Sequence, residues 1–136
     1  MASDWVRGDK IRKTVILDTS AILMCFEFSV DWERELDRLL GAYDIMIPCA
    51  VVHELENLVE CEKGPRKKKA QAALKLIEKY ERIEEITRAA DDAILKIAQR
   101  INGVVVTNDT ELRKKLSANG ISVIFLRGKK KLALEG

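Results

Sequence analysis

The sequence has no long apolar run, and it has little histidine, cysteine or aromatic residue. Its longest uncharged apolar stretches are about ten residues, which is too short for a helix to span a bilayer. The residues that follow Met1 do not form the apolar segment of a signal peptide. We therefore expect a cytoplasmic protein with no membrane segment.

Cysteine and histidine are too sparse to suggest a zinc site. Cys25, Cys49 and Cys61 form no Cys-X-X-Cys pair, and three cysteines cannot all close into internal disulfides. We expect free thiols in a reducing compartment. His53 is the only histidine, and its place before Glu54 favours a solvated position at a rim over a role as general base.

Several function classes lack the residues that they need. Aromatic residues make up 5% of the chain and do not alternate with basic runs, which argues against base-stacking platforms of the RRM or OB type. No Gly-X4-Gly-Lys-Ser/Thr motif is present, so a P-loop NTPase is excluded. Asp18 is followed by Thr19 and Ser20. It lacks the second acid of an aspartyl-phosphate phosphatase and the acidic pair of a receiver domain.

The composition is that of a folded protein, with 47% apolar and 34% charged residues. A length of 136 residues is enough for one hydrophobic core and too short for two. We expect a single domain over residues 1–136, with its core in about residues 13–126 and basic, flexible termini outside it. The net charge of +2 does not by itself predict nucleic-acid binding.

Short apolar runs alternate with segments of helical spacing. Strands are expected at residues 14–17, 45–47, 82–86, 104–107 and 121–126. Helices are expected after Asp18 and Asp31, at residues 51–59, 66–80 and 90–101, and after Asp109. Continuously apolar strands are typical of a parallel sheet covered on both faces. The predicted fold class is α/β, a three-layer α/β/α sandwich with a central parallel sheet of four to five strands.

Four acids are predicted near the carboxyl edge of this sheet, where ligands bind in such folds. They are Asp18, Glu54, Asp91 and Asp109. Asp18 directly follows the first strand, and Asp109 lies two residues after the strand at 104–107. Asp91 is in line with the buried stripe of its helix, whereas Asp92 is rotated by about 100° from it.

Each acid on its own has a simpler interpretation as a helix cap or a first-turn acid. Asp18 fits that interpretation least, because it ends the most apolar strand and buried ionised acids are rarely unpaired. Four acids at one edge would also repel one another unless a cation neutralised them. Carboxylates suit Mg²⁺ and Mn²⁺, so the functional interpretation is a site for one of these ions.

Four short motifs, in this order, resemble the PIN-domain nucleases. They are Leu17-Asp18-Thr19-Ser20-Ala21, His53-Glu54-Leu55, Ala90-Asp91-Asp92-Ala93-Ile94-Leu95 and Val106-Thr107-Asn108-Asp109. The resemblance covers residues 13–126. Residues 107–109, followed by 111–113, are especially similar to the branch of archaeal and eukaryotic ribosomal-RNA-processing nucleases, and they also fit the VapC-type toxins.

The resemblance implies a metal-dependent endoribonuclease, with Mg²⁺ or Mn²⁺ as cofactor, that hydrolyses RNA phosphodiester bonds in rRNA processing or as a VapC-type toxin. The family's catalytic, metal-binding acids carry over to Asp18, Glu54, Asp91 and Asp109. An alanine seven residues after the third acid belongs to the family pattern, and Ala98 fits Asp91 rather than Asp92. Auxiliary roles near the ligands fall to Asp92, Thr19, Ser20, Thr107 and Asn108. For Ser20 and Thr107, simple capping or packing is the alternative.

A dense basic run surrounds the Gly64-Pro65 pair. Its members are Lys63, Arg66, Lys67, Lys68 and Lys69. Cations at the start of a helix oppose its macrodipole, so we expect this run to contact an external anion, the RNA backbone. Two further basic runs, at residues 7–13 and 127–131, are interpreted as a solubilising surface.

RNA is the expected partner, and no membrane partner is expected. The resemblance is also compatible with a homodimer, an antitoxin or a ribosome-assembly partner. The alternative function is a catalytically silent PIN-like module for RNA binding or assembly. The presence of all four family acids favours the enzyme.

Overall fold

The computed structural model describes residues 12–28, 30–85, 87 and 89–136. Within them, six strands and six helices follow in the order β1 Lys13–Leu17, α1 Thr19–Glu27, α2 Trp32–Leu40, β2 Tyr43–Pro48, α3 Cys49–Cys61, α4 Pro65–Ile77, β3 Glu81–Ile83, α5 Ala90–Ile101, β4 Val104–Val106, α6 Thr110–Ala118, β5 Val123–Arg127 and β6 Lys131–Glu135. None of the helices in these described ranges is long and apolar enough to cross a membrane.

The strands form one sheet in the order β3-β2-β1-β4-β5-β6. Neighbours from β3 to β5 are parallel, and β6 runs antiparallel to β5. After β1, the chain forms β2 and then β3 on one side of it. It then returns to form β4 on the other side of β1, followed by β5 and β6. The switch point therefore lies between the carboxyl ends of β1 and β4, where Leu17 pairs with Val106.

The central strands have continuous apolar stretches, at residues 15–17, 45–47 and 104–106, because helices cover both faces of the sheet. Val15, Ile16, Ile47 and Val105 are fully buried, and each such side chain contributes about 1.5–3 kcal/mol to folding. The predicted three-layer α/β/α fold is confirmed. This packing fixes β1 and β4 side by side, and it therefore fixes the positions of the polar residues that follow them.

The sheet is larger than predicted. Its five parallel strands correspond to the expected sheet of four to five, but β6 was not predicted. The basic run at 127–131 was expected to lie in a flexible terminus, and it instead forms the end of β5, the turn and the start of β6. Gly128 adopts a φ of +68° in that turn, and Leu132 is 2% exposed. The core thus extends past residue 126.

Smaller differences concern the ends of elements. The fourth helix ends at Ile77 rather than Tyr80, and the third runs from Cys49 to Cys61 rather than over residues 51–59. The strand expected at 82–86 is β3, Glu81–Ile83, and residue 86 lies outside the described residues. Most of the basic run at 7–13 also lies outside them. The three cysteines are free thiols, as expected.

An ion pair on α2 closes part of the outer edge of β6. Glu35 Oε1 accepts a hydrogen bond from the backbone nitrogen of Leu132 (2.9 Å), and Arg38 donates to the carbonyl oxygen of Leu132 (2.8 Å). The two side chains also bond each other at 2.9 Å. These bonds satisfy backbone groups that would otherwise invite another strand. Arg38, and then the Leu132 amide, lower the pKa of Glu35 to about 2.

Replacing Glu35 tests this edge closure. Because its pKa in the folded protein lies below the ordinary 4.5, ionised Glu35 stabilises the fold above about pH 4.5, and this contribution is lost as the pH falls toward 2. We expect Glu35→Gln to lower the free energy of unfolding at pH 7, with a deficit that shrinks by pH 3. Urea unfolding at both pH values measures it. Glu56→Gln, which changes an exposed acid on α3, is the control, and a deficit independent of pH would contradict the prediction.

Candidate active site

A cavity of about 390 Å³ opens at the switch point of the sheet, and all four predicted acids line it. Asp18 reaches it from the end of β1, Glu54 from α3, Asp91 from the first turn of α5 and Asp109 from the start of α6. These acids are far apart in sequence. They meet because the carboxyl ends of parallel strands share one edge.

Asp18 is buried, with 5% of its surface exposed. One carboxylate oxygen accepts from the Ala21 amide at 2.7 Å, and Ser20 Oγ donates to both oxygens at 2.8 and 3.0 Å. Thr107 Oγ1 donates to the second oxygen. Asp18 is thus also the N-cap of α1, although the sequence made capping its weaker interpretation. Burial raises its pKa to about 6, the three hydrogen-bonding partners oppose that rise, and the nearby charge of Asp109 adds to it.

Thr107 and Ser20 connect the two loops that carry Asp18 and Asp109. Thr107 is fully buried, and its hydroxyl accepts from the Asp109 amide at 3.0 Å while donating to Asp18. Ser20 Oγ accepts from the Asn108 amide at 3.0 Å. Asn108 Oδ1 in turn accepts from the backbone nitrogen of Leu126 (3.1 Å) and so attaches the loop to β5. These polar residues therefore hold the acids in place, and simple strand packing does not describe them.

Asp109 caps α6, as its sequence position predicted. One oxygen, Oδ1, accepts from the amides of Glu111 (2.9 Å) and Leu112 (3.3 Å). Within the described ranges, the other oxygen, Oδ2, takes part in no hydrogen bond. Capping therefore occupies one oxygen of Asp109 and leaves the second for a ligand.

Asp91 and Asp92 are neighbours with different surroundings. Asp91 lines the cavity, where burial and then the charge of Asp109 raise its pKa. Asp92 lies outside the cavity lining and forms an ion pair with Lys115 of α6, which lowers the pKa of Asp92. Helical periodicity thus predicts which of the two acids lines the cavity, but no local pattern points to Lys115 as the partner of Asp92.

Glu54 occupies the α3 side of the cavity. Thr19 Oγ1 donates to one of its carboxylate oxygens and so joins α1 to α3. His53 is exposed and lines an adjoining cavity of about 530 Å³ that also touches Glu54, Asp91 and Asp109, which is the rim position expected of it. Asn57 lines both cavities and was not predicted. Its spacing of three residues from Glu54 on one helix could have indicated it.

The donor set of the cavity fits a hard cation. Carboxylate and hydroxyl oxygens are the ligands of Mg²⁺ and Mn²⁺. Burial, and in addition the charge of Asp109, raises the pKa of Asp18 and Asp91. As the side chains stand, however, no group of three or more His, Cys, Asp or Glu in the described ranges is placed to hold an ion. Such a site would need waters, substrate oxygens or side-chain rotation to complete it.

The predicted basic run lies at the turn between α3 and α4 and in the first turn of α4. Arg66 pairs with Glu62 at 3.4 Å, and Lys69 pairs with Glu27 at 3.9 Å. Lys67 and Lys68 are exposed and form no ion pair with another described residue. The run is therefore not uniform, because intramolecular acids neutralise two of its members.

The fold and the cavity at its switch point define a three-layer α/β protein in which four carboxylates line one space. A family model described as a PIN like domain matches residues 15–129. The chain therefore belongs to the PIN-like domain family, and the resemblance stated from its motifs is confirmed.

Named relatives extend this result. "Ribonuclease VapC4" of Methanocaldococcus jannaschii is 32% identical over 126 residues, which cover 90% of this chain and 96% of that protein. "Ribonuclease VapC9" of Archaeoglobus fulgidus is 31% identical over 135 residues, which cover 99% and 98%. The solved structure of the PIN domain endonuclease Utp24 has a TM-score of 0.74 and 28% identity and covers 90% of both chains.

Asp18→Asn should stabilise the metal-free protein at neutral pH. Its pKa in the folded protein, about 6, lies above the ordinary 3.8, so ionised Asp18 destabilises the fold increasingly as the pH rises from 4 to 6. We expect a gain on the order of 1–3 kcal/mol at pH 8 and none near pH 4, measured by urea unfolding in EDTA.

Asp44→Asn is the matched control, because Arg12 lowers the pKa of Asp44 and removal of that charge should not stabilise the protein. An Asp18→Asn protein that is less stable than wild type throughout this pH range would contradict the prediction.

Proposed function

We propose that this protein is a metal-dependent endoribonuclease and that its active site is the cavity of Asp18, Glu54, Asp91 and Asp109. The observation that carries the proposal is the convergence of these four acids, each from a different part of the chain, on one cavity. Two relatives that match 90% or more of the chain are named ribonucleases, which supports RNA as the substrate.

The acids would hold Mg²⁺ or Mn²⁺. When bound, such an ion supplies an activated water and stabilises charge on phosphate oxygens. Mg²⁺ usually takes only one or two carboxylates and completes its shell with waters and substrate. The four carboxylates line one cavity but do not surround a single point. This arrangement is compatible with an ion that binds only one or two of them.

The chain's own polar residues orient the acids. Thr107, Ser20 and the Ala21 amide fix the plane of the Asp18 carboxylate, and Thr19 fixes Glu54. The apolar side chains of Leu23 and Ile94 in the cavity wall limit the water around the acids. The residues named as auxiliary from the sequence thus act by positioning, apart from Asp92, which is paired away with Lys115.

Of the two roles implied by the resemblance, the VapC-type role has the stronger support. Both named VapC relatives match this chain nearly from end to end, and an antitoxin partner goes with that role. A role in ribosomal-RNA processing, with assembly partners, is the other, and a homodimer is compatible with either. The chain acts as one domain, with β6 as an integral strand.

One observation favours a second candidate, a catalytically silent RNA-binding module. Among the described residues, no three potential ligands are placed to hold an ion. The same experiment on the acids distinguishes this module from the enzyme.

We expect wild-type protein to cleave labelled single-stranded RNA with Mn²⁺ or Mg²⁺ and not in EDTA. Asp18→Asn and Asp91→Asn should each lower the cleavage rate by about 100-fold or more, because each removes a charged ligand at the reacting phosphate. Asp44→Asn, which removes a carboxylate from the opposite end of the sheet, should cleave normally. Heat unfolding with added Mn²⁺ gives a second readout, since a bound ion raises Tm in wild type more than in the two variants.

Cleavage retained by both variants would show that the active site lies elsewhere. RNA binding by folded wild-type protein, with no cleavage and no rise in Tm in either metal, would establish the silent module instead.

Lys67 and Lys68 should contribute to RNA affinity through phosphate contacts. We expect Lys67→Ala/Lys68→Ala to weaken binding at low salt and to lower the slope of log affinity against log salt by about 1–2. Fluorescence anisotropy with a labelled RNA in EDTA measures both. Lys129→Ala/Lys130→Ala removes the same charge from the β5–β6 turn, and equal losses in the two double variants would show a diffuse charge effect only.

A further inference from the structure

A second cavity adjoins the acidic one. It has a volume of about 220 Å³ and is enclosed by α1, α3 and the start of α4. Its lining consists of Leu23, Glu27, Leu58, Glu62, Arg66 and Lys69. Leu23 and Leu58 also line the acidic cavity, so the two spaces share a wall. An RNA strand with one nucleotide at the acids would place a neighbouring nucleotide in this second cavity.

The charges of this cavity do not suit a phosphate. Two carboxylates and two cations line it, in pairs of 3.4 Å (Arg66–Glu62) and 3.9 Å (Lys69–Glu27). An anion entering this space would meet Glu27 and Glu62 as well as the cations. The lining instead offers acceptors and donors together over a half-buried apolar wall of leucines. That combination suits a neutral, flat ligand with donors and acceptors on its edge.

We propose that this cavity is a nucleobase subsite that selects guanine next to the phosphate to be cut, an inference that rests on the proposed ribonuclease function. The ring would lie against Leu23 and Leu58. A carboxylate, from Glu62 or Glu27, would accept from the two adjacent N–H groups of guanine, and Arg66 or Lys69 would donate to its O6. Uracil and cytosine lack the two adjacent donors, and adenine lacks the carbonyl oxygen.

Replacing the ion pairs of the free protein by hydrogen bonds to a base costs little free energy. All four charged side chains are at least 31% exposed and the pairs are long, so each contributes little to stability in the free protein. A base that takes up one carboxylate and one cation replaces weak contacts with directed hydrogen bonds. The volume, smaller than that of most small-molecule sites, limits the subsite to one base.

Cleavage of an RNA pool of random sequence tests the subsite. Wild-type protein should prefer guanine at one position beside the cut by about tenfold or more, and Glu62→Gln or Glu27→Gln should abolish most of that preference. Glu60→Gln, an exposed acid on α3 that lines neither cavity, should keep it. Cleavage without a guanine preference, or a preference unchanged in both subsite variants, would overturn the proposal and leave the cavity to a protein partner.

A binding experiment tests the subsite without catalysis. In EDTA, wild-type protein should bind a short RNA with one guanosine about fivefold more tightly than the same RNA with inosine, which lacks the amino group. Glu62→Gln or Glu27→Gln should remove the difference. Equal affinities in wild type would refute the subsite. A guanosine preference in a protein that cleaves no RNA would refute the proposed nuclease and keep the subsite.

Discussion

The main constraint on this structure is the burial of a carboxylate, that of Asp18, at the end of its central strand. Taking an ionised group out of water destabilises a fold unless hydrogen bonds replace the lost solvation. Asp18 receives donors from α1 and from the loop after β4, and its pKa nevertheless stays near 6. The hydroxyl of Thr107 can reach Asp18 only if β1 and β4 are neighbours. The arrangement of the site therefore depends on the order of the strands in the sheet.

The same bonds explain why capping does not exclude the proposed ligand role of these acids. Asp18 and Asp109 each begin a helix, and each uses part of its carboxylate for that purpose. A cap fixes the side-chain rotamer at a place where a strand ends, as a ligand site requires. The second oxygen of Asp18 accepts from Thr107 and Ser20, whereas that of Asp109 has no hydrogen bond within the described ranges. From the sequence the two interpretations look like alternatives, because a pattern of residue types cannot show which hydrogen bonds each carboxylate oxygen accepts.

Much of the fold follows from local sequence. The β-branched runs around Ile16 and Val105 predict buried parallel strands, and parallel strands bring their carboxyl ends, with Asp18 and Asp109, to one edge. Helical periodicity separates Asp91 from Asp92. The strand β6 escaped prediction because only Leu132 is deeply buried in it and three lysines precede that residue.

Contacts between residues far apart in the sequence could not be predicted either, because nothing near Asp92 or Leu132 in the chain points to their partners. Lys115 contacts Asp92 across 23 positions, and Glu35 contacts Leu132 across 97. Both contacts join elements that lie close together only because of the sheet topology. Patterns that repeat within a helix or strand are readable from one sequence, whereas contacts between elements need the topology first.

Although the net charge is only +2, the acids of the cavity and the cations of the neighbouring run lie in different places. This separation bears on how a polyanion could bind. The acidic cavity by itself would repel a polyanion, and two of the five cations in the neighbouring run are already paired with Glu62 and Glu27. Long-range attraction then falls to exposed side chains such as Lys67 and Lys68, at the turn beside the cavity. Attraction of that kind is screened by salt and carries no sequence information. Under the proposed function, selection among RNAs would therefore come from short-range contacts close to the acids, where leucines, carboxylates and cations line the neighbouring cavity.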